Sequence, residues 1–451
     1  MEYQVTLTEM LNARERRFAW QKRLLTQYQI PMVCFTMNIA GPIKKSPLIQ
    51  KGFELGKRYL KEQLDSLHIQ YVYYEEICES TGNEACYLIN ADPIFLKEIT
   101  CSIEDSSEIG RLFDMDVLKP DGKKVDRFEV GLSPRRCLIC GDPARECARS
   151  RAHTVEQLQA KTKEILMHAM EKENSDLAAR LACKALLYEV CTTPKPGLVD
   201  REGNGSHKDM NIFTFMDSAS TLWPYFQSCT QIGRRTADFP AKHTFLLLRS
   251  YGRKAEADMF SATKGINTHK GAIFSIGILC AALGRLPREQ WGHPDIVLKE
   301  CSAMTEGLVE SDFSGLTKEN AVTMGQKLYL NHGITGIRGQ MEAGLPAVKD
   351  VGLPALKKGL SQGLDINRAG CGALLALITA AADTNMIART SLAIWQETVS
   401  QVRDILAENP YPGTEILHQL DLEFIEKNLS PGGSADLLAV CYLLYFLETE
   451  V

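Results

Sequence analysis

Apolar and polar residues follow two different periods along the chain, and the change of period divides it. Over 5–28, Leu7, Met10, Leu11, Phe18, Leu24 and Leu25 recur on a rough helical stripe, with Thr6 or Thr8 placed to cap its start. Residues 46–66 and 93–103 carry the same helical spacing. Among them lie β-rich runs at 32–37, 69–74 and 85–89, the last two separated by the turn composition Ser80-Thr81-Gly82-Asn83. In the run 110–117, Phe113, Met115 and Val117 alternate with Asp114 and Asp116, which predicts a strand with one apolar and one acidic face. Pro120-Asp121-Gly122 then predicts a hairpin returning from Val125 to Val130. Residues 154–190 are helix-forming, and from 173 onward period-two runs almost vanish. Helices are expected at 176–190, 211–228, 241–261, 268–283, 295–309, 317–330, 353–361, 367–385, 390–406, 415–427 and 434–448. The fold expected is an α+β domain, a mixed sheet with helices, over 1–172, joined to an all-α domain over 173–451. No Gly/Pro/Ser-rich linker marks the junction, which falls in the charged stretch Glu171-Lys172-Glu173-Asn174.

Composition adds little to this division. A chain of 451 residues supports two or three cores, and 45% hydrophobic with 24% charged residues is ordinary globular composition. A net charge of −5 makes no general case for nucleic acid or a membrane as partner. With no signal-like segment and no run of about 18 apolar residues, a cytoplasmic location is expected, with the fourteen cysteines mostly reduced. Only Cys137, Cys140 and Cys147 cluster; with His153 they could ligate zinc, at distances short for a standard finger. Five arginines between Arg135 and Arg151 suit a diphosphate or nucleotide.

Candidate chemistry gathers at four places. Asp114 and Asp116 stand roughly 6.5–7 Å apart along one strand face, and two such carboxylates can share a divalent ion; a solvated acidic face is the plain alternative. The stretch 193–210 starts stiffly with Pro194 and Pro196, continues with Gly197, Gly203 and Gly205, and carries Lys195, Asp200, Arg201, His207, Lys208 and Asp209. That mixture fits a loop around a polyanion and its metal, or a long solvated connection. A second loop, 262–271, holds Lys264, His269 and Lys270 just before an apolar helix whose free N–H groups would face its contents. A third, 331–346, combines glycines with Arg338 and Glu342. Three such loops in one helical domain point to a shared phosphate site. Asp383 with Arg389, and Ser434 with Asp436 after Pro431-Gly432-Gly433, are further candidates.

The residues Thr193-Pro194-Lys195-Pro196-Gly197-Leu198-Val199-Asp200-Arg201, Ser206-His207-Lys208-Asp209-Met210 and Lys264-Gly265-Ile266-Asn267-Thr268-His269-Lys270-Gly271 resemble the triphosphoribosyl-dephospho-CoA synthase family, over roughly 173–451. Gly110 to Val117, with Arg135-Arg136-Cys137-Leu138-Ile139-Cys140 and the segment through His153, is similar to the citrate lyase holo-carrier-protein synthase family, over roughly 1–172. Together they resemble the fused, bifunctional family that makes and installs the citrate lyase prosthetic group.

The resemblance implies two reactions. The C-terminal half would join ATP and 3′-dephospho-CoA with loss of adenine. The N-terminal half, nucleotidyltransferase-like, would pass the product to a serine of the citrate lyase acyl-carrier subunit with loss of diphosphate. It implies Mg²⁺ and gives the residues roles. Asp114 and Asp116 would be catalytic metal ligands, and Asp209 and Asp383 the metal ligands of the other half. His207 and His269 would be interchangeable proton carriers. Arg111, Arg135, Arg136, Lys195, Lys208, Lys264, Lys270, Arg338 and Arg389 would hold phosphates or nucleotide. The family follows Asp-Thr-Asn with Arg-Gly-Gly; here Arg389 precedes Thr390-Ser391, so the glycine turn is absent. Two alternatives stay open: the same chemistry for a malonate decarboxylase carrier, or an N-terminal half that is a zinc-stabilised docking module without transferase activity.

Overall fold

The computed structural model describes residues 3–451. The chain separates into two compact units, 1–172 and 173–451. In the first, the helix α1 (Leu7–Tyr28) starts on a reciprocal cap between Thr6 and Glu9. The strand β1 (Met32–Met37), the helix α2 (Pro47–Ser66), the strands β2 (Tyr71–Glu79) and β3 (Gly82–Ile89), the helix α3 (Pro93–Asp105) and the strand β4 (Phe113–Leu118) follow.

The sheet order is β2-β3-β1-β4, and every neighbouring pair is antiparallel. The expected mixed sheet is therefore corrected. β1 and β2 do run the same way, joined through α2, but the tight hairpin inserts β3 between them. Val33, Phe35, Ala85, Tyr87, Ile89, Phe113, Met115 and Val117 face one core with α2 and α3, while Met32, Cys34, Cys86 and Leu88 pack on Trp20, Leu24 and Leu25 of α1. Asp114 and Asp116 stand opposite Thr36 and Cys34, which puts them on the α1 side of the sheet. The turn after β4 forms, with Gly122 N–H donating to Lys119 O at 2.8 Å, but pairing ends near Lys124 and a short 3₁₀ turn, Arg127–Val130, replaces the returning strand.

After the short helix α4 (Ala144–Ser150), α5 runs unbroken from Val155 to Cys191 and so passes through the junction between the units. No Gly or Pro interrupts it. Its first half buries Ile165 and Leu166 in the sheet core; its second half buries Ala178, Leu181, Ala182, Ala185 and Leu186 in the helical core. The junction is thus a change of partner along one helix, which leaves no loop signal.

The second unit is all-helical: α6 (Ile212–Thr221), α7 (Trp223–Arg235), α8 (Ala241–Ala262), α9 (Lys270–Arg285), α10 (Pro294–Thr305), α11 (Leu308–Phe313), α12 (Met324–His332), α13 (Gly336–Glu342), α14 (Leu353–Ser361), α15 (Ile366–Ala380), α16 (Thr384–Arg389), α17 (Leu392–Glu408), α18 (Thr414–Glu426) and α19 (Gly432–Glu450). Pro224, at the start of α7, splits the single helix expected over 211–228. The helices α9, α15 and α19 are apolar almost all round and form the centre of this core. Among the described residues no helix is long and apolar enough to cross a membrane.

Candidate functional sites

In the first unit the alternation of β4 does what it predicts. Phe113, Met115 and Val117 are fully buried, which fixes the strand, and Asp114 and Asp116 keep 44% and 31% side-chain exposure. Lys124 Nζ lies 2.5 Å from Asp116, and Arg135 lies 3.8 Å from Asp114. Arg135 also pairs with the buried Glu104, whose carboxylate accepts Met115 N–H at 2.8 Å and Arg127 at 3.1 Å. Asp114 and Asp116 line a cavity of about 360 Å³ with Lys124, Arg127, Arg135 and Arg145; Asp114 also borders a second cavity, of about 180 Å³, with Arg14, Arg17 and Lys44.

Arg111 and Arg136 do not join them. Arg111 donates to the carbonyls of Arg136 (3.0 Å) and Cys137 (2.6 Å), and Arg136 to that of Gly141 at 3.2 Å. Both guanidiniums are used on the cysteine loop. No local sequence pattern marks Arg14, Arg17 or Lys44, because none says that α1 and the loop between β1 and α2 lie beside Asp114.

The loops of the second unit converge on one cavity of about 500 Å³, a volume typical of small-molecule sites. Lys195, His207, Asp209, His269, Lys270, Asp383 and Arg389 all line it. The long helices α9 and α19 begin at its wall, so the positive ends of both helices face it. The 193–210 loop is held from inside by Asp200, which accepts Thr193 Oγ1 (2.7 Å) and the backbone N–H groups of Lys195 (2.9 Å), Glu202 (2.8 Å) and Gly203 (3.0 Å). Gly197, at φ +71, passes so close to Leu429 that a Cβ would lie 2.3 Å from its carbonyl oxygen.

Burial sets the charge states. Lys195 is 1% exposed and pairs with Glu189, itself 4% exposed. Burial raises the Glu189 carboxyl against the pull of Lys195. His269 is 2% exposed; burial, with Lys195 nearby, pushes its imidazole down to about 3. It is therefore neutral at neutral pH. Its Nδ1 lies 2.7 Å from Ser218 Oγ, and its Nε2 has no partner. His207 bonds Ser430 Oγ at 2.8 Å, and burial, with Arg389 nearby, lowers it too, against the opposing pull of Asp209. Asp436 lines the same cavity, its carboxyl pressed on Gly271 at the start of α9, and burial beside Glu189 and Asp383 raises it well above the usual carboxylate range.

Several expected roles do not fit this geometry. Asp383 accepts Asn385 N–H (3.0 Å) and Met386 N–H (3.1 Å) on one oxygen, and Ser434 N–H (2.8 Å) and Oγ (3.0 Å) on the other. All four acceptor positions of the carboxylate are used, so it ties α16 to α19 and has nothing left for a cation. Arg389 donates to Ser206 O and Asn428 Oδ1, both at 2.7 Å, and so clamps two loops from the cavity wall. Lys208, Lys264 and Arg338 are not on the wall. Gly336, Ile337 and Gln340 are the α13 residues that face it, while Arg338 pairs with Asp312 at 2.7 Å beside the Phe313 ring. No loop signal marks Glu189, which lies within α5; its only sequence signal is a carboxylate on an otherwise apolar stripe.

The two units match two family models: the CitX family, apo-citrate lyase phosphoribosyl-dephospho-CoA transferase, over 5–169, and the CitG family, ATP:dephospho-CoA triphosphoribosyl transferase, over 175–451. The chain is 33% identical to "Protein CitXG" of Leuconostoc mesenteroides subsp. cremoris, over 98% of this chain and 97% of the relative. The chain belongs to the CitXG family. It is also 34% identical to "Protein CitXG" of Haemophilus influenzae, over 98% of this chain and 96% of that protein. A 2-(5''-triphosphoribosyl)-3'-dephosphocoenzyme-A synthase of Pectobacterium atrosepticum matches at 40%, over 61% of this chain and 90% of its own. The chain is therefore an enzyme with two transferase activities, fused in CitX-CitG order. The transferase match of the first unit overturns the alternative of a docking module without activity.

Proposed function

We propose that the helical cavity carries the synthase reaction and the acidic face of β4 the transfer reaction. One observation carries the reading: loops separated by dozens of residues bring Lys195, His207, His269 and Lys270 to a single cavity against the starts of α9 and α19. In the synthase reaction the ribose 2′-hydroxyl of 3′-dephospho-CoA attacks C1′ of ATP. The bond from C1′ to adenine breaks, and the triphosphate stays on the ribose. Lys270 and the helix N-termini bind the triphosphate. His269, neutral and with Nε2 free, accepts the proton of the attacking hydroxyl. The raised carboxyl of Asp436 is the proton donor to departing adenine, a role that neither lowered histidine suits. Lys195 offsets the negative charge of Glu189 at the cavity floor.

The nucleotidyltransferase-like reading of the first unit rests on the same kind of geometry. Asp114 and Asp116 are hard oxygen donors on one rigid strand face, partly open to solvent and rimmed by cations, and this fits Mg²⁺. A bound Mg²⁺ would neutralise charge developing on the diphosphate leaving group. Arg135, Lys124 and Arg145 orient the phosphates beside it. The attacking serine belongs to the acyl-carrier subunit of citrate lyase, which the matched family favours over a malonate decarboxylase carrier. In the helical cavity Asp209 is the exposed carboxylate left to hold a cation on the triphosphate.

The experiment is to supply ATP, 3′-dephospho-CoA and each apo-carrier in turn. Adenine release that requires dephospho-CoA, and diphosphate release that requires the citrate lyase carrier, are expected. Adenine release without dephospho-CoA would overturn the synthase assignment.

A further inference from the structure

The segment between β4 and α5 poses a folding problem of its own. From residue 126 to 154 a single side chain, Cys137, is buried. So little apolar burial cannot fix a stretch of this length, and in natural folds such stretches are held by a covalent or metal cross-link. The segment is nevertheless folded to a definite pattern. Arg136 bridges Pro143, Cys137 N–H donates to Asp142 O at 2.6 Å, and Gly141, at φ +79, closes the turn. The short helix α4 then carries Cys147, and Arg151 in the left-handed region turns the chain so that His153 comes back.

The result is one cluster. The sulfurs of Cys137, Cys140 and Cys147 and a ring nitrogen of His153 all lie within 4.8 Å of one another. Cys140 Sγ is 3.3 Å from Cys147 Sγ and 3.3 Å from His153 Nε2. Those separations are far beyond a disulfide bond of about 2.05 Å. They approach the edge of a tetrahedron with metal–sulfur bonds of about 2.3 Å and metal–nitrogen bonds of about 2.0 Å, which is roughly 3.5–3.8 Å. The contrast with Cys34 and Cys86 is instructive. Their sulfurs are 3.5 Å apart in the sheet, but they belong to no group of three or more metal-ligating side chains among the described residues.

We propose that Cys137, Cys140, Cys147 and His153 bind one structural zinc ion. Three soft thiolates and an imidazole select zinc over Mg²⁺, and four protein ligands leave no position for substrate. Arg111, which donates to the carbonyls of Arg136 and Cys137, supports the cluster from β4's own approach loop. The ion positions Arg135, two residues before Cys137, and Arg145, two residues before Cys147, and both line the cavity of Asp114 and Asp116. This last consequence rests on the transfer site proposed above; the metal site itself does not.

The test uses the full chain, purified reduced and without chelator, with zinc measured by elemental mass spectrometry. About one zinc per chain is expected in the wild type and in Cys78→Ser, and a loss of most of it in Cys140→Ser and Cys147→Ser. Cobalt(II) added to the chelator-stripped, reduced wild type should give the intense ligand-field bands of a tetrahedral thiolate site, so the result does not depend on how the variants fold. Absence of stoichiometric zinc and of those bands, retention of zinc in the Cys140→Ser, Cys147→Ser double variant, or a Cys140–Cys147 disulfide in place of metal would each overturn the site. In the zinc-free variants carrier modification should fall at least tenfold while adenine release stays at the wild-type rate. Zinc bound as expected with carrier modification unchanged on its loss would overturn the positioning role alone.

Discussion

The two sites are built in opposite ways. On β4 the chemistry is local: Asp114 and Asp116 are two residues apart, and the same alternation that exposes them buries Phe113, Met115 and Val117 beneath. In the helical unit the chemistry is assembled from a distance, with Glu189, His269 and Asp436 brought together from three parts of the chain. The strand site keeps its charges partly in water, balanced by exposed cations. The cavity buries carboxyls, a lysine and a histidine, and burial raises the carboxyls of Glu189 and Asp436 and lowers His269. A local site puts its specificity into a rigid surface; a distributed one puts it into the electrostatics of a pocket.

If that contrast is right, disturbing the buried pair should have the largest effect. Lys195→Met leaves Glu189 buried without its partner, and such a loss costs about 3–5 kcal/mol. A lowered denaturation midpoint together with lost adenine release is expected from chemical unfolding and activity assays. Stability within 1 kcal/mol or so of wild type would mean that the pair is not isolated from water.

A smaller effect separates wall from surround. Lys270→Ala should reduce ATP use roughly tenfold to hundredfold by removing a charge-assisted phosphate contact of about 1.5–3 kcal/mol. Lys264→Ala and Arg338→Ala, off the wall, should leave steady-state kinetics within about twofold of wild type, since surface changes away from a site are near neutral. Equal losses in all three would mean that the loops close further around ATP.

These paired expectations also mark what the sequence could and could not reveal. Periods of two and of 3.6 residues give most of the longer elements of both units, though not the splits at α6–α7 and α10–α11 or the short α13, and β4 with its acidic face is fully legible, because a strand's faces follow from alternate residues. Lys195, His207, Asp209, His269 and Lys270 are legible as loop residues, since glycine and proline mark their loops. What one residue of a helix faces is not. Arg338 reads as a phosphate ligand, but it stands two residues, about half a helical turn, from both Gly336 and Gln340 and so on the opposite side of α13. Asp383 reads as a metal ligand until its four hydrogen bonds are seen. The unit boundary inside α5 leaves no loop signal, and Arg14 and Arg17 come to β4 only through the packing of α1.

The contrast also sets a pH dependence. His269 titrates at about 3 in the folded chain against an ordinary value near 6.5. Between those values the unfolded chain takes up the proton and the folded chain does not. Stability contributed at this position is thus complete above pH 6.5 and is lost as pH falls through the window, by up to about 1.4 kcal/mol per pH unit. The difference between wild type and His269→Gln in denaturation experiments should shrink accordingly from pH 7 towards pH 4. A constant difference would mean that His269 is not buried in neutral form.

The most direct test is one reaction mixture with two readouts. The Asp114→Asn, Asp116→Asn double variant keeps the shape of β4 and removes its charge. With ATP, 3′-dephospho-CoA and the apo-carrier, adenine should be released at the wild-type rate while carrier modification falls about a hundredfold or more, the size of such electrostatic terms, and the triphosphoribosylated intermediate accumulates. Carrier modification at the wild-type rate, or loss of adenine release along with it, would contradict two separate sites.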